Sequence, residues 1–176
     1  SEQCTYQGKS REAVMRSLIT LKSLTYWPSG GIVAAATTSL PEQIGGERNW
    51  DYRFCWLRDS SVTLEALYRY GYLEEAQCFR DWLIRAIAGD PSQMQIMYGI
   101  SGERHLTETT IDWLAGYENS APVRIGNAAS DQFQLDVYGE VMDAQEYGRD
   151  KGIDANEEAW SLQLQFADFV EKHWRD

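Results

Sequence analysis

Apolar residues recur at three- and four-residue spacing in five stretches, and each stretch predicts an amphipathic helix. From Ser10 to about Tyr26, Val14, Leu18, Leu21 and Leu24 share one face, and Pro28 stops the period. Asp59 to Tyr70 carries Leu64, Leu67 and Tyr68 and ends at Gly71, with Asp59 placed to cap its N-terminus. Leu73 to Ala88 carries Ala76, Phe79, Leu83, Ala86 and Ile87, then meets Gly89 and Pro91. Asp131 to Tyr147 carries Leu135, Tyr138, Val141 and Met142, closed by Gly148. Asn156 to Trp174 carries two stripes: Trp160, Leu164, Ala167, Val170 and Trp174 on one, Leu162, Phe166 and Phe169 on the other. So wide an apolar arc calls for cover on more than one side.

The stretches between helices are long and have no helical period. Pro28 to Trp56 holds four glycines, Gly30, Gly31, Gly45 and Gly46. Met94 to Asn127 is rich in Gly, Pro, Ser and Thr, and Gln95 to Tyr98 reads as a short strand turning at Ser101-Gly102. Ordered loops of this length are usually functional. Helix patterns without alternating strands predict an all-α fold.

Composition narrows the partners. Sixteen Lys and Arg against 27 Asp and Glu give a net charge of −11, which argues against nucleic acid and anionic membranes. No apolar run approaches the roughly 20 residues that span a bilayer, and the first 30 residues do not read as a signal peptide. Three cysteines, Cys4, Cys55 and Cys78, and two histidines, His105 and His173, assemble no zinc signature, and a reducing cytoplasm is the expected setting. Phosphate-cradling glycine motifs, H-E-x-x-H and G-x-S-x-G do not occur. Neither histidine stands in a suggestive context, and a structural or surface role is expected for both.

The segment Arg48-Asn49-Trp50-Asp51-Tyr52-Arg53-Phe54-Cys55-Trp56-Leu57-Arg58-Asp59 is chemically the densest, with three arginines, two aspartates and four aromatics. A hexose needs that mixture. Its C–H faces lie on aromatic planes, carboxylates accept from its hydroxyls, and guanidinium groups donate to them. The same residues also fit an ordinary role: Asp59 as a helix cap, Arg58 paired with an acid, Trp50 and Trp56 as core aromatics.

This run, with Ser39-Leu40-Pro41-Glu42 and Gly45-Gly46-Glu47 before it, resembles the bacterial branch of glycoside hydrolase family 15, the glucoamylase, glucodextranase and bacterial trehalase family. Met97-Tyr98-Gly99-Ile100, Arg124-Ile125-Gly126-Asn127-Ala128-Ala129 and Asp131-Gln132-Phe133-Gln134-Leu135-Asp136-Val137-Tyr138-Gly139-Glu140 are similar to the same family. The likeness runs from about residue 13 onward. It implies a partial (α/α)6 barrel, with a possible short β-hairpin among its long loops. It further implies inverting hydrolysis of α-glucosides, in which one carboxylic acid protonates the leaving oxygen and a second carboxylate activates water. By the same resemblance Arg58 and Asp59 grip the non-reducing glucose, Trp56 forms a wall of its pocket, Tyr52 lies near the reacting sugar, and Asn127 to Gln132 form a further wall.

Further expectations follow from the likeness. The family's general acid lies in an Ile-Trp-Glu motif that does not occur here, so residues 1–176 are expected to form one incomplete catalytic-barrel domain, without the family's N-terminal β-sandwich or the rest of the barrel. Such a chain holds part of the glucose pocket, neither catalytic carboxylate, and no bound metal or organic cofactor, although some trehalases of the family depend on phosphate and magnesium. Its substrate is an α-glucoside, an oligosaccharide or trehalose. With helix faces uncovered, the isolated chain is expected to form a homodimer. A non-catalytic carbohydrate-binding or regulatory module on the same helices is the alternative. A helical scaffold for protein partners would call for an internal repeat, and none is found.

Overall fold

The structure is a computed structural model and describes residues 4–150, 152 and 157–175. Among these, five α-helices dominate: α1 (Arg11–Ser23), α2 (Leu57–Arg69), α3 (Leu73–Ile87), α4 (Asp136–Asp150) and α5 (Glu157–His173). Four two-residue strands complete it: β1 (Cys55–Trp56), β2 (Met97–Tyr98), β3 (Thr109–Thr110) and β4 (Arg124–Ile125). β1 pairs antiparallel with β2, and β3 with β4. The fold is all-α in character, and the described helices close no ring.

The helices stand where the periodicity puts them, and their ends differ for identifiable reasons. α1 stops at Ser23 because Thr25 and Tyr26 turn away to pair with the loop: Thr25 bridges Ile32, and Tyr26 N–H donates to the Gly31 carbonyl at 2.8 Å. α2 starts two residues before the expected Asp59. Trp56 occupies the cap position in extended conformation, and its side chain makes no capping bond. The helix grows directly out of β1, where Leu57 N–H already donates to the Ile96 carbonyl at 3.0 Å. Asp59 is therefore not the cap but the third helical residue, where a carboxylate still suits the helix dipole. Gly71, at φ +90, terminates α2 as expected, and Tyr72 N–H reaches back to the Leu67 carbonyl at 2.9 Å.

α4 starts five residues later than its pattern suggests. Asn127 caps a short 3₁₀ turn, Ala128–Asp131, by accepting from Ala129 N–H at 3.0 Å, and Gln132 then returns to extended backbone. Gly148 does not close α4 either. It is buried inside the helix, which runs on to Asp150, and Gly152 takes the left-handed conformation instead. Asn156, the expected start of α5, lies outside the described residues. The strand expected at Gln95–Tyr98 is present over Met97–Tyr98, but it pairs with β1 rather than across the Ser101-Gly102 turn.

The core gathers where α2 lies against both α3 and α4, with α1 against α2 and α5 against α4. Leu57, Leu67, Phe79, Trp82, Val141 and Phe166 are almost wholly buried in it. Its aromatics interlock: Phe79 stacks on Trp82 at 5.1 Å, Trp82 meets Tyr98 edge-on, and Tyr138 lies between Phe166 at 5.3 Å and Phe169 at 5.0 Å. α5 buries only one of its two stripes. Leu162 and Phe166 face the core, whereas Trp160, Leu164 and Trp174 remain 53–58% exposed. His173 closes that helix, its ring stacked on Phe169 at 4.2 Å, while His105 is exposed in its loop. Among the described residues no helix is long and apolar enough to cross a membrane.

Candidate functional site

Two loops with little regular structure are fastened to each other by buried polar side chains, and a cavity opens beside the fastening. The first loop is residues 38–53 and the second 105–132. Asp51 has no exposed side-chain surface and binds both. Its Oδ1 accepts from the Arg53 N–H at 3.1 Å and Nε at 2.9 Å, and its Oδ2 from Arg53 Nη2 at 2.8 Å and Gly126 N–H at 3.1 Å. Burial alone would push this carboxyl's pKa up, but those donors outweigh it and hold it below the ordinary carboxylate range. Asn49, equally buried, donates from Nδ2 to the Gly46 and Pro122 carbonyls at 3.0 and 3.2 Å. Asn127 Nδ2 donates to the Asp51 carbonyl at 3.1 Å. Gly126 is required here: its φ is +80, and a Cβ would fall on the Thr107 carbonyl.

The cavity, about 500 Å³, is lined by Trp50, Tyr52, Trp56, Glu108, Asn127, Ala128, Ala129 and Gln132. Four of the six residues singled out from the sequence, Tyr52, Trp56, Asn127 and Gln132, thus share one space. Tyr52 and Trp56 form an aromatic corner with ring centroids 6.5 Å apart and planes inclined by 51°. Trp56 Nε1 is buried and has no hydrogen-bond partner. Burial, followed by the nearby Glu42 carboxylate, raises the Tyr52 hydroxyl's pKa above its ordinary value, with Arg48 opposing and Asp59 adding to the rise. Asn127 is spoken for by the backbone on both sides of its amide and shapes the wall.

The remaining two, Arg58 and Asp59, line a neighbouring cavity of about 390 Å³, whose other walls come from α1, the 32–34 segment and α2. They are not on the face that Trp56 shows the first cavity. Placed on α2 two and three residues beyond Trp56, they are turned about the helix axis by roughly 100° per residue. A polar bridge connects the two spaces. Arg58 Nη1 donates to Gln134 Oε1 at 3.2 Å, and Gln134 Nε2 donates to Gln132 Oε1 at 3.0 Å. Arg58 also stands 3.7 Å from Asp136 in an open ion pair.

Trp50, Glu108 and Arg124 were not among the residues singled out for the cavity. Arg124 lies over the Trp50 ring at 4.4 Å, stands 3.2 Å from Glu108 through Nε, and donates from Nη1 to the Glu47 carbonyl at 2.8 Å. The buried Ser39 and its neighbour Thr38 hold the Arg124 backbone from behind. Glu108 reaches this place only because β3 pairs with β4, a contact between residues 14 to 16 apart in the chain. That strand was not expected from the sequence, and the β-branched pair Thr109-Thr110 is the one local signal for it.

The model of one protein family, described as "Glycosyl hydrolases family 15", matches residues 8–176. The chain belongs to that family. Proteins similar to it include a trehalase of Mycobacterium tuberculosis, 40% identical over 169 residues, which cover 94% of this chain and 25% of the relative. A trehalase of Thermoplasma volcanium is 43% identical, over 97% of this chain and 27% of its own. Trehalase 1 of Sulfolobus acidocaldarius is 41% identical, over 94% and 30%. The chain spans about a quarter of the length of these curated relatives. No solved structure matches it.

Proposed function

We propose that this chain supplies part of the glucose-binding pocket of an inverting α-glucoside hydrolase, and that trehalose is its substrate. The single observation that carries the reading is the aromatic-walled cavity in which Tyr52, Trp56, Asn127 and Gln132 meet. Its size lies within the usual range for small-molecule sites, roughly 300–1,000 Å³. Flat apolar walls suit the C–H faces of a pyranose, and the lining residues include amide and carboxylate side chains that suit its hydroxyls. Arg58 and Asp59 in the adjoining cavity bind the hydroxyls of the non-reducing glucose. The family supports hydrolysis, and the trehalases among its relatives support trehalose over other α-glucosides.

On this reading the chain's residues bind and orient sugar, and proton transfer belongs to carboxylates that these 176 residues do not provide. Inversion places such a pair about 6.5–9.5 Å apart, across the ring from each other. The uncovered stripe of α5 makes a homodimer the expected state of the chain alone. Three free thiols fit a reducing, cytoplasmic setting.

The test is to mix the purified chain with trehalose, maltose and isomaltose. Ligand-observed NMR is expected to show binding, strongest for trehalose and weakened by Asp59→Ala, with no glucose released. Glucose release above the Asp59→Ala level overturns the binding-only role. Absence of binding to any α-glucoside overturns the pocket.

A further inference from the structure

We infer that Glu108 is a sugar-binding residue of this pocket, a fixed carboxylate that accepts from one particular hydroxyl of the glucoside. The inference rests on the α-glucoside reading above and adds a specificity determinant to it. Glu108 lies on the cavity wall with Trp50 and Trp56, and its side chain is 22% exposed, so it is sheltered but reachable.

Its orientation is set from two sides. Oε2 accepts from Ala128 N–H at 3.2 Å, and Oε1 stands 3.2 Å from Arg124 Nε. Arg124 cannot swing away easily: its guanidinium is held over Trp50, and its Nη1 is bound to the Glu47 carbonyl. A carboxylate has about four acceptor positions on its two oxygens. Ala128 takes one, and the contact with Arg124 is an ion pair whose N–H is not directed along a hydrogen bond. Acceptor capacity therefore remains, in a group whose direction is already fixed. Preorganisation of this kind lowers the ordering cost of binding.

The surfaces around that carboxylate suit the same ligand. Trp50 and Trp56 line the cavity with Glu108. One pyranose can thus lay a C–H face on an aromatic ring while one of its hydroxyls donates to the carboxylate.

The experiment is a cycle between residue and hydroxyl, with wild-type and Glu108→Gln chains titrated by NMR. The probes are methyl α-D-glucopyranoside and its 2-, 3-, 4- and 6-deoxy analogues. Glutamine keeps the size of the side chain and an oxygen for Ala128, but puts a donor where a charged acceptor stood. If Glu108 accepts from a hydroxyl, Glu108→Gln weakens binding of the parent sugar roughly tenfold or more. One deoxy analogue then loses a similar factor on wild type and nothing further on the variant. Independent losses for every analogue in both chains show that Glu108 only braces the wall and overturn the inference. Unchanged binding by Glu108→Gln overturns it also, while leaving the glucoside reading in place. No sugar binding by the wild-type chain overturns both. Should Glu108→Gln fail to give a dispersed amide spectrum, Glu108→Asp is carried through the same cycle, with the same coupling to one hydroxyl expected.

Discussion

Asp51→Asn is the sharpest probe of how the site is held. The carboxylate accepts four hydrogen bonds, two on each oxygen. Asparagine matches its shape but keeps only one oxygen, so whichever way the amide turns, two donors face an NH₂ group. In one orientation the loss is a charge-assisted bond from Arg53 Nη2 together with the bond from the buried Gly126 N–H. The orphaned backbone donor costs about 1–3 kcal/mol. The arginine is 44% exposed and screened by water, so its share is the smaller, about 1 kcal/mol or less. The sum is about 1–4 kcal/mol, or a melting temperature lower by about 2–16 °C for a domain of this size. pH supplies an internal control. The Asp51 pKa is lower in the folded state than in the unfolded chain, so its stabilisation is fully present above the unfolded value, near 4, and is lost as pH falls through the folded value. Asparagine does not titrate. Calorimetric scans are thus expected to show the full gap between the two proteins at pH 7 and a shrinking one below about pH 4. Equal melting at pH 7, or a gap that stays constant into acid, refutes the assignment of Asp51 as the fastening between the loops.

Three further outcomes are expected. Phe166→Ala removes a side chain with no exposed surface from the seam between α4 and α5, and denaturant titration should show a loss of about 3–5 kcal/mol. Leu164→Glu, on the uncovered stripe of α5, should leave the melting temperature of the monomer unchanged while shifting sedimentation toward a 20.1 kDa species; unaltered self-association would place the contact elsewhere. Iodoacetamide should label the partly exposed Cys78 before Cys55, whose thiol burial pushes up to about 12, so that Cys55 reacts only after denaturation.

The helices were legible because burial on one side of a helix leaves a 3.6-residue imprint, and Leu64, Leu67 and Tyr68 or Leu162 and Phe166 carry it plainly. Their ends were less so. The start of α2 is decided by a strand partner 41 or more residues away, which no local capping signal reveals. Asp59 has the chemistry of a cap and lost the position to Trp56 through that pairing. Candidate binding residues close together in a dense run, such as Tyr52 and Trp56, announced themselves by composition. Glu108 did not, because an isolated glutamate in a polar loop looks like any other until a distant pairing brings it beside Trp50. The division between the Trp56 cavity and the Arg58–Asp59 cavity was also hidden, since adjacency in sequence says nothing about rotation along a helix.

The direct passage from β1 into α2, with no linker between them, makes the two cavities mechanically geared. Cys55 and Trp56 alternate across their strand, so a slip of one residue against β2 would exchange a fully buried cysteine with a wall tryptophan. The same slip would turn Arg58 and Asp59 by about 100° around the α2 axis and advance them by about 1.5 Å. No flexible residue stands between to absorb either movement. Insertions or deletions between Tyr52 and Asp59 should therefore be far less tolerated than the same changes in the exposed 112–119 loop, whatever residues are used to make them.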